Sequence, residues 1–249
     1  NEFICARYNP MAYLESPELF AEKYGLLFGE MDLQLSQRNL AQFIKRLLVM
    51  RFESSKAAFK STLESILSSY ENIKKWWGKG YVPIKKSGYL PDPNEEEIQE
   101  TLDEINSIVE DGIDLDKIKK KAIPVEKSLF RSEYILAIEN DIELLKRIYS
   151  NWFDTDDIGE DPKYNEIKNK IEKLLKQNSK RKIVVFSTYA DTAVYVKDHL
   201  AKDGFKVLLY TGGATKLERA VVKYNFDASC KPSEQLNDYD IIVATDALS

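Results

Sequence analysis

Three short turns in the last third of the chain concentrate hydroxyl-bearing residues and glycines: Ser187-Thr188-Tyr189, Thr211-Gly212-Gly213-Ala214-Thr215 and Thr245-Asp246. Small residues let an anion approach the backbone and receive both N–H and O–H bonds. Three such turns side by side would line up several anions, which is the spacing a nucleic-acid backbone supplies. The same residue types also cap helices and make turns in folds that bind nothing. Arg219 lies one helical turn beyond Thr215 and could reach the same edge, or pair on the surface with Glu218 or Asp227. His199 sits beside Leu200 in a helical stripe, where a structural role is the plainer reading.

The elements that must position these turns are strands. Ile183-Val184-Val185-Phe186, Val207-Leu208-Leu209-Tyr210 and Ile241-Ile242-Val243-Ala244 are short, continuously apolar runs, as expected for strands covered on both faces. Between them, Ala193, Val196 and Leu200 predict a helix closed by Gly204. Thr215 and Glu218 predict a capping box for another, running to about Asn225. Strand–helix–strand–helix–strand with short connections is a parallel α/β sheet, and its ligands gather where the strands end.

Everything before about Asn178 reads as helical. Ser16-Pro17-Glu18 is a helix start. The stripe Leu40, Phe43, Ile44, Leu47, Leu48 is followed by Phe59, Leu63, Ile66, Leu67, Tyr70, Ile73 and Trp77, as one very long helix or two, and ends at Gly78-Lys79-Gly80. Tyr81–Asn94, with Pro83, Gly88, Pro91 and Pro93, reads as a connector. Ile98, Leu102, Ile105 and Val109 predict a helix with one buried side, and Pro124 breaks the pattern after it. Tyr134 through Trp152, and a segment opened by Asp161-Pro162, complete the helices. Apolar residues at this spacing are core rather than a cofactor box.

Composition removes several classes of function. The 249 residues carry a net charge of −5, but Pro91–Asp116 holds eleven acids and no Lys or Arg, leaving +6 for the remainder. That segment reads as a solvated insertion, and the mildly basic remainder permits contact with nucleic acid. One histidine excludes paired-His metal sites, and two cysteines make no disulfide framework, as expected in a reducing, cytoplasmic setting. No apolar run is long enough for a membrane span, and no secretory leader is evident. No G-x-x-x-x-G-K-[ST] occurs, so a Walker-type phosphate cradle is lacking. The incomplete half-sheet at the end reads as part of something longer.

Lys182–Tyr189 resembles the motif IV strand and turn of superfamily-two helicases and translocases, closest to the bacterial Swi/Snf-like branch. Leu209-Tyr210-Thr211-Gly212-Gly213, with Arg219 and Tyr224-Asn225-Phe226, is similar to that family's next conserved block. Asp240–Ser249 resembles the opening of motif V, and Leu47–Ser55 the helical segment linking two motor lobes, with Met50 where the family more often has a basic residue. The resemblance implies an α/β protein: a helical inter-lobe region over 1–178, carrying an acidic insertion at about 81–124, then a partial RecA-like parallel lobe over 179–249. It implies ATP-driven movement along DNA or RNA, with Ser187, Thr188, Tyr189, Thr211, Gly212, Gly213, Arg219 and Thr245 on the tracked backbone, and Asp246 and Arg51 in inter-lobe or nucleotide coupling. ATP and Mg2+ would belong to the full-length protein, bound with a first motor lobe. The segment in hand would be inactive alone and bind neither, and its acidic insertion could meet a basic partner. The rival reading is a non-enzymatic helical adaptor fused to a phosphate- or nucleotide-binding α/β module.

Overall fold

The computed structural model describes residues 2–28, 33–85, 122–153, 161–212 and 214–245. The helix expected over the acidic segment lies outside them. The contacts divide the chain into two units: residues 1–51 with 60–156, and residues 52–59 with 157–249. The packing boundary is thus not at the change of period near Asn178. The second unit also takes in the helix opened by Asp161 and a short piece from the middle of the helical region.

The first unit is helical. Helix α1 spans Pro17–Phe28, and α2 (Leu33–Ser54) and α3 (Lys56–Gly78) are two separate helices broken at Ser55. Gly80, at φ +94°, makes the left-handed turn that ends this run. The expected connector after it is instead strand β1 (Tyr81–Lys85), paired antiparallel with β2 (Ala122–Glu126). Val82 and Ile84 alternate with Pro83, and Ile123 and Val125 with Pro124, so one face of the ribbon is apolar and buried. The two prolines face each other. Among the described residues the ribbon has two strands, both edges, where a missing N–H is tolerated, and this is why proline misleads here. Helix α4 (Glu133–Trp152) buries Tyr134, Ala137, Ile138, Asp141, Ile142 and Leu145 along one stripe.

Asp141 is the polar anchor of this unit. It is 1% exposed. Its Oδ1 accepts the Ile4 N–H at 2.8 Å, and its Oδ2 accepts the Ala6 N–H at 2.9 Å and the Tyr70 hydroxyl at 3.0 Å. The amino-terminal segment is thereby pinned to α3 and α4. Within that segment Cys5 takes a left-handed backbone at φ 65°, and burial pushes its thiol up to about 12.

The second unit is a parallel α/β layer. Asp161 caps α5 (Pro162–Gln177), its Oδ1 accepting from the Lys163 N–H at 2.9 Å. Strand β3 (Ile183–Phe186), helix α6 (Ala190–Lys202), strand β4 (Val207–Tyr210), helix α7 (Lys216–Phe226) and strand β5 (Ile241–Ala244) follow. The sheet order is β3-β5-β4, so the last strand in sequence is the central one, with all four residues fully buried. Tyr164 and Ile171 of α5 join Ala193, Val196 and Leu200 of α6 over Ile183, Val207, Ile241 and Val243 in one core. Both cysteines, Cys5 and Cys230, are free and buried. No helix among the described residues is long and apolar enough to cross a membrane.

Candidate functional site

The sheet register determines where the three turns lie. Phe186 and Tyr210 both stand opposite Ala244 in parallel pairing, so the three strands end at one level and point the same way. Neighbouring strands are about 4.8 Å apart. Thr245 therefore lies between the other two strand ends, flanked by Ser187 on one side and Thr211 on the other.

Each turn is built differently. Ser187 donates its N–H to the Ala244 carbonyl at 2.9 Å, while its Oγ donates to the Tyr189 carbonyl at 3.0 Å and accepts the Tyr189 N–H at 3.2 Å. Its hydroxyl is thus committed to a local turn that starts α6. Thr188 is exposed beside it and Tyr189 is buried. In the middle, Thr245 donates its N–H to the Tyr210 carbonyl at 3.1 Å and is 8% exposed. At the third turn, Thr211 and Gly212 border a cavity of about 200 Å³ with Tyr210, Ala214 and Glu218.

That third turn carries a carboxylate of its own. The expected capping box is present: the N–H and hydroxyl of Thr215 both donate to Glu218 Oε2, at 2.7 and 2.8 Å, and the Glu218 N–H donates to Thr215 Oγ1 at 3.3 Å. These bonds hold the Glu218 carboxyl below its ordinary range. The amino end of α7 is already neutralised, and a polyanion arriving there meets a negative charge.

Arg219 is exposed on α7, and neither Glu218 nor Asp227 forms an ion pair with it among the described residues. Gly213 and Asp246 lie outside the described residues. Arg51 is 1% exposed near the end of α2. His199 bonds the Tyr195 carbonyl through Nδ1 at 2.9 Å, a structural role.

Sequence reasoning missed the surroundings of the β3 turn. Lys163, next to the α5 cap, donates through Nζ to the carbonyls of Glu53 and Ser54, satisfying the end of α2. Ser54 Oγ and Ser55 Oγ each share a hydrogen bond with Thr192 Oγ1 of α6, at 2.7 and 2.9 Å, and Ser55 Oγ also accepts the Ala58 N–H at 3.1 Å. A cavity of about 410 Å³ lies among these residues, the start of α5 and the end of β3. The signal was there in Ser54-Ser55, which interrupts an apolar stripe with two cap-forming residues, but nothing local ties them to residue 192.

Residues 166–249 match the family model of the helicase conserved C-terminal domain. Over 136 residues, 49% of its length, the chain is 29% identical to an uncharacterized ATP-dependent helicase, C23E6.02, of Schizosaccharomyces pombe. It covers 13% of that relative. Among solved structures, the helicase domain of Hef from Pyrococcus furiosus aligns over 97% of this chain and 40% of its own, at 18% identity and a TM-score of 0.39.

Proposed function

We propose that the chain is part of an ATP-dependent helicase or translocase, in which the strand ends of the α/β unit hold the phosphate backbone of the tracked strand. The observation that carries this reading is the level, co-directional ending of β3, β5 and β4 within a segment matched by a helicase domain. Thr245 takes the central position and Thr211 with Gly212 the more open one, whereas Ser187 offers its backbone surroundings and Thr188 rather than its own engaged hydroxyl. Such contacts are blind to base sequence and sensitive to salt. Residues 1–178 are read as the inter-lobe helical region and 179–249 as the start of the second, RecA-like lobe. Arg51 and Asp246 are assigned to coupling between lobes. The Swi/Snf-like branch, a DNA or RNA track, a cytoplasmic setting and a basic partner for the acidic insertion belong to the same proposal.

The chain has no Walker-type loop, and among the described residues there is no group of three or more His, Cys, Asp or Glu able to hold a metal ion. ATP and Mg2+ belong to this proposal as ligands of the intact protein.

The test uses the intact protein. Thr211→Ala and Thr245→Ala are each expected to weaken nucleic-acid binding by about tenfold, the worth of a hydrogen bond to a charged group. Stimulation of ATP hydrolysis by nucleic acid should fall with it, while basal nucleotide binding stays intact. Equal loss of basal and stimulated activity, with an unchanged nucleic-acid dissociation constant, refutes the assignment.

A further inference from the structure

The 410 Å³ cavity beside β3 has a wall that the phosphate-backbone reading leaves unused. Asp161 is 5% exposed and lines this cavity. Its Oδ1 is engaged in capping α5, but its Oδ2 is buried and has no hydrogen-bond partner among the described residues. A buried carboxylate oxygen without a donor is costly, and such orphans call for a missing partner. The neighbouring cation cannot serve, because the Lys163 ammonium is turned to the carbonyls of Glu53 and Ser54. The nearby hydroxyls of Ser54 and Ser55 are hydrogen-bonded to Thr192 Oγ1 rather than to this oxygen.

The rest of the cavity describes the ligand that would bring the donor. Ile167, Val185, Val196 and Val243 line it, and a second carboxylate, Glu166, is exposed at its edge. A site with apolar walls, two carboxylates and no free cation suits a group with an apolar stem and a positively charged, weakly hydrated head. Guanidinium fits this description better than ammonium, because it gives up its hydration more readily. We propose that this cavity binds an arginine-like group, its alkyl stem against the apolar wall and its guanidinium donating an N–H to Asp161 Oδ2. Aspartate χ2 is a soft torsion, so a small rotation turns Oδ2 toward the ligand. A free alkylguanidine and an arginine side chain on a peptide share this chemistry, and the experiment separates them.

The cavity shares Ser187 and Thr188 with the backbone contacts proposed above, but Asp161 takes no part in them, and the inference is tested without nucleic acid. Butylguanidinium is titrated into the intact protein by ligand-observed NMR and thermal shift, against its uncharged analogue butylurea. The expected result is binding of the cation at least tenfold tighter than butylurea, the scale of one charge-assisted hydrogen bond. In Asp161→Asn that difference should vanish while the melting temperature holds, because asparagine caps a helix as well as aspartate does. A short peptide containing arginine, compared with the same peptide containing citrulline, shows whether a polypeptide can deliver the group. Equal binding of butylguanidinium and butylurea to the unaltered protein overturns the proposal. So does cation binding that Asp161→Asn leaves unchanged, or no binding of either probe.

Discussion

Replacing Asp141 by alanine is expected to destabilise the helical unit by about 3–5 kcal/mol and to release its amino-terminal segment. The substitution strips three donors of their acceptor at once: the N–H groups of Ile4 and Ala6 and the hydroxyl of Tyr70. Ile4 is 48% exposed and water can replace its bond, but Ala6 and Tyr70 are buried and stay unpaired. Hydrogen exchange should show the amides of Ile4 through Leu14 losing protection first. Undiminished protection there would mean that the aromatic contacts of Tyr8 and Tyr70, not the carboxylate, hold the segment.

The same residue carries a pH dependence of defined sign. Burial raises the Asp141 carboxyl above its ordinary range, outweighing the hydrogen bonds that lower it. A carboxyl whose value is higher folded than unfolded contributes titration-linked stability in full below its unfolded value, and loses it as pH rises through the folded one. Asp141→Asn removes this term while keeping the side-chain shape. The stability lost on that substitution should therefore be larger in mildly acid than in mildly alkaline buffer, as urea denaturation of both proteins would show. A loss that grows toward alkaline pH would reverse the assigned shift.

In the α/β unit the largest loss is expected from Leu200→Ala, at about 2–5 kcal/mol. Leu200 is fully buried on α6 and packs in the core with Ile183, Val207 and Ile241. Truncation leaves a hole beneath the central strand that neighbours on three elements cannot all move to fill. Denaturant midpoints report the loss, and exchange should quicken in β4 and β5 while the helical unit keeps its protection. A cost below about 1 kcal/mol would mean that this core closes readily around the gap.

Features governed by a few consecutive residues were legible from the residues alone. The Asp161-Pro162 start of α5 and the Thr215–Glu218 capping box both form as expected, because a cap is decided within four positions. The three strands and their common direction were equally plain, since continuous β-branched runs separated by helices admit few arrangements. Pro83 and Pro124 misled because the rule against proline in strands holds for central strands, and their ribbon has none. Asp141 was invisible for another reason. Its partners lie 137, 135 and 71 residues away, and no local pattern distinguishes a buried carboxylate on a helix from an exposed one. The orphaned Asp161 oxygen was hidden in the same manner: its capping role could be read, its unused half could not.

The position of β5 in the sheet has a consequence for how the chain is made. Because this strand separates β3 from β4 and is the last of the three in sequence, the earlier two have no pairing partner among the described residues until it leaves the ribosome. A nascent chain halted before Ile241 would hold apolar strands with open edges, a form prone to aggregation. Its maturation should thus depend on chaperone protection during translation, up to the moment the middle strand is inserted.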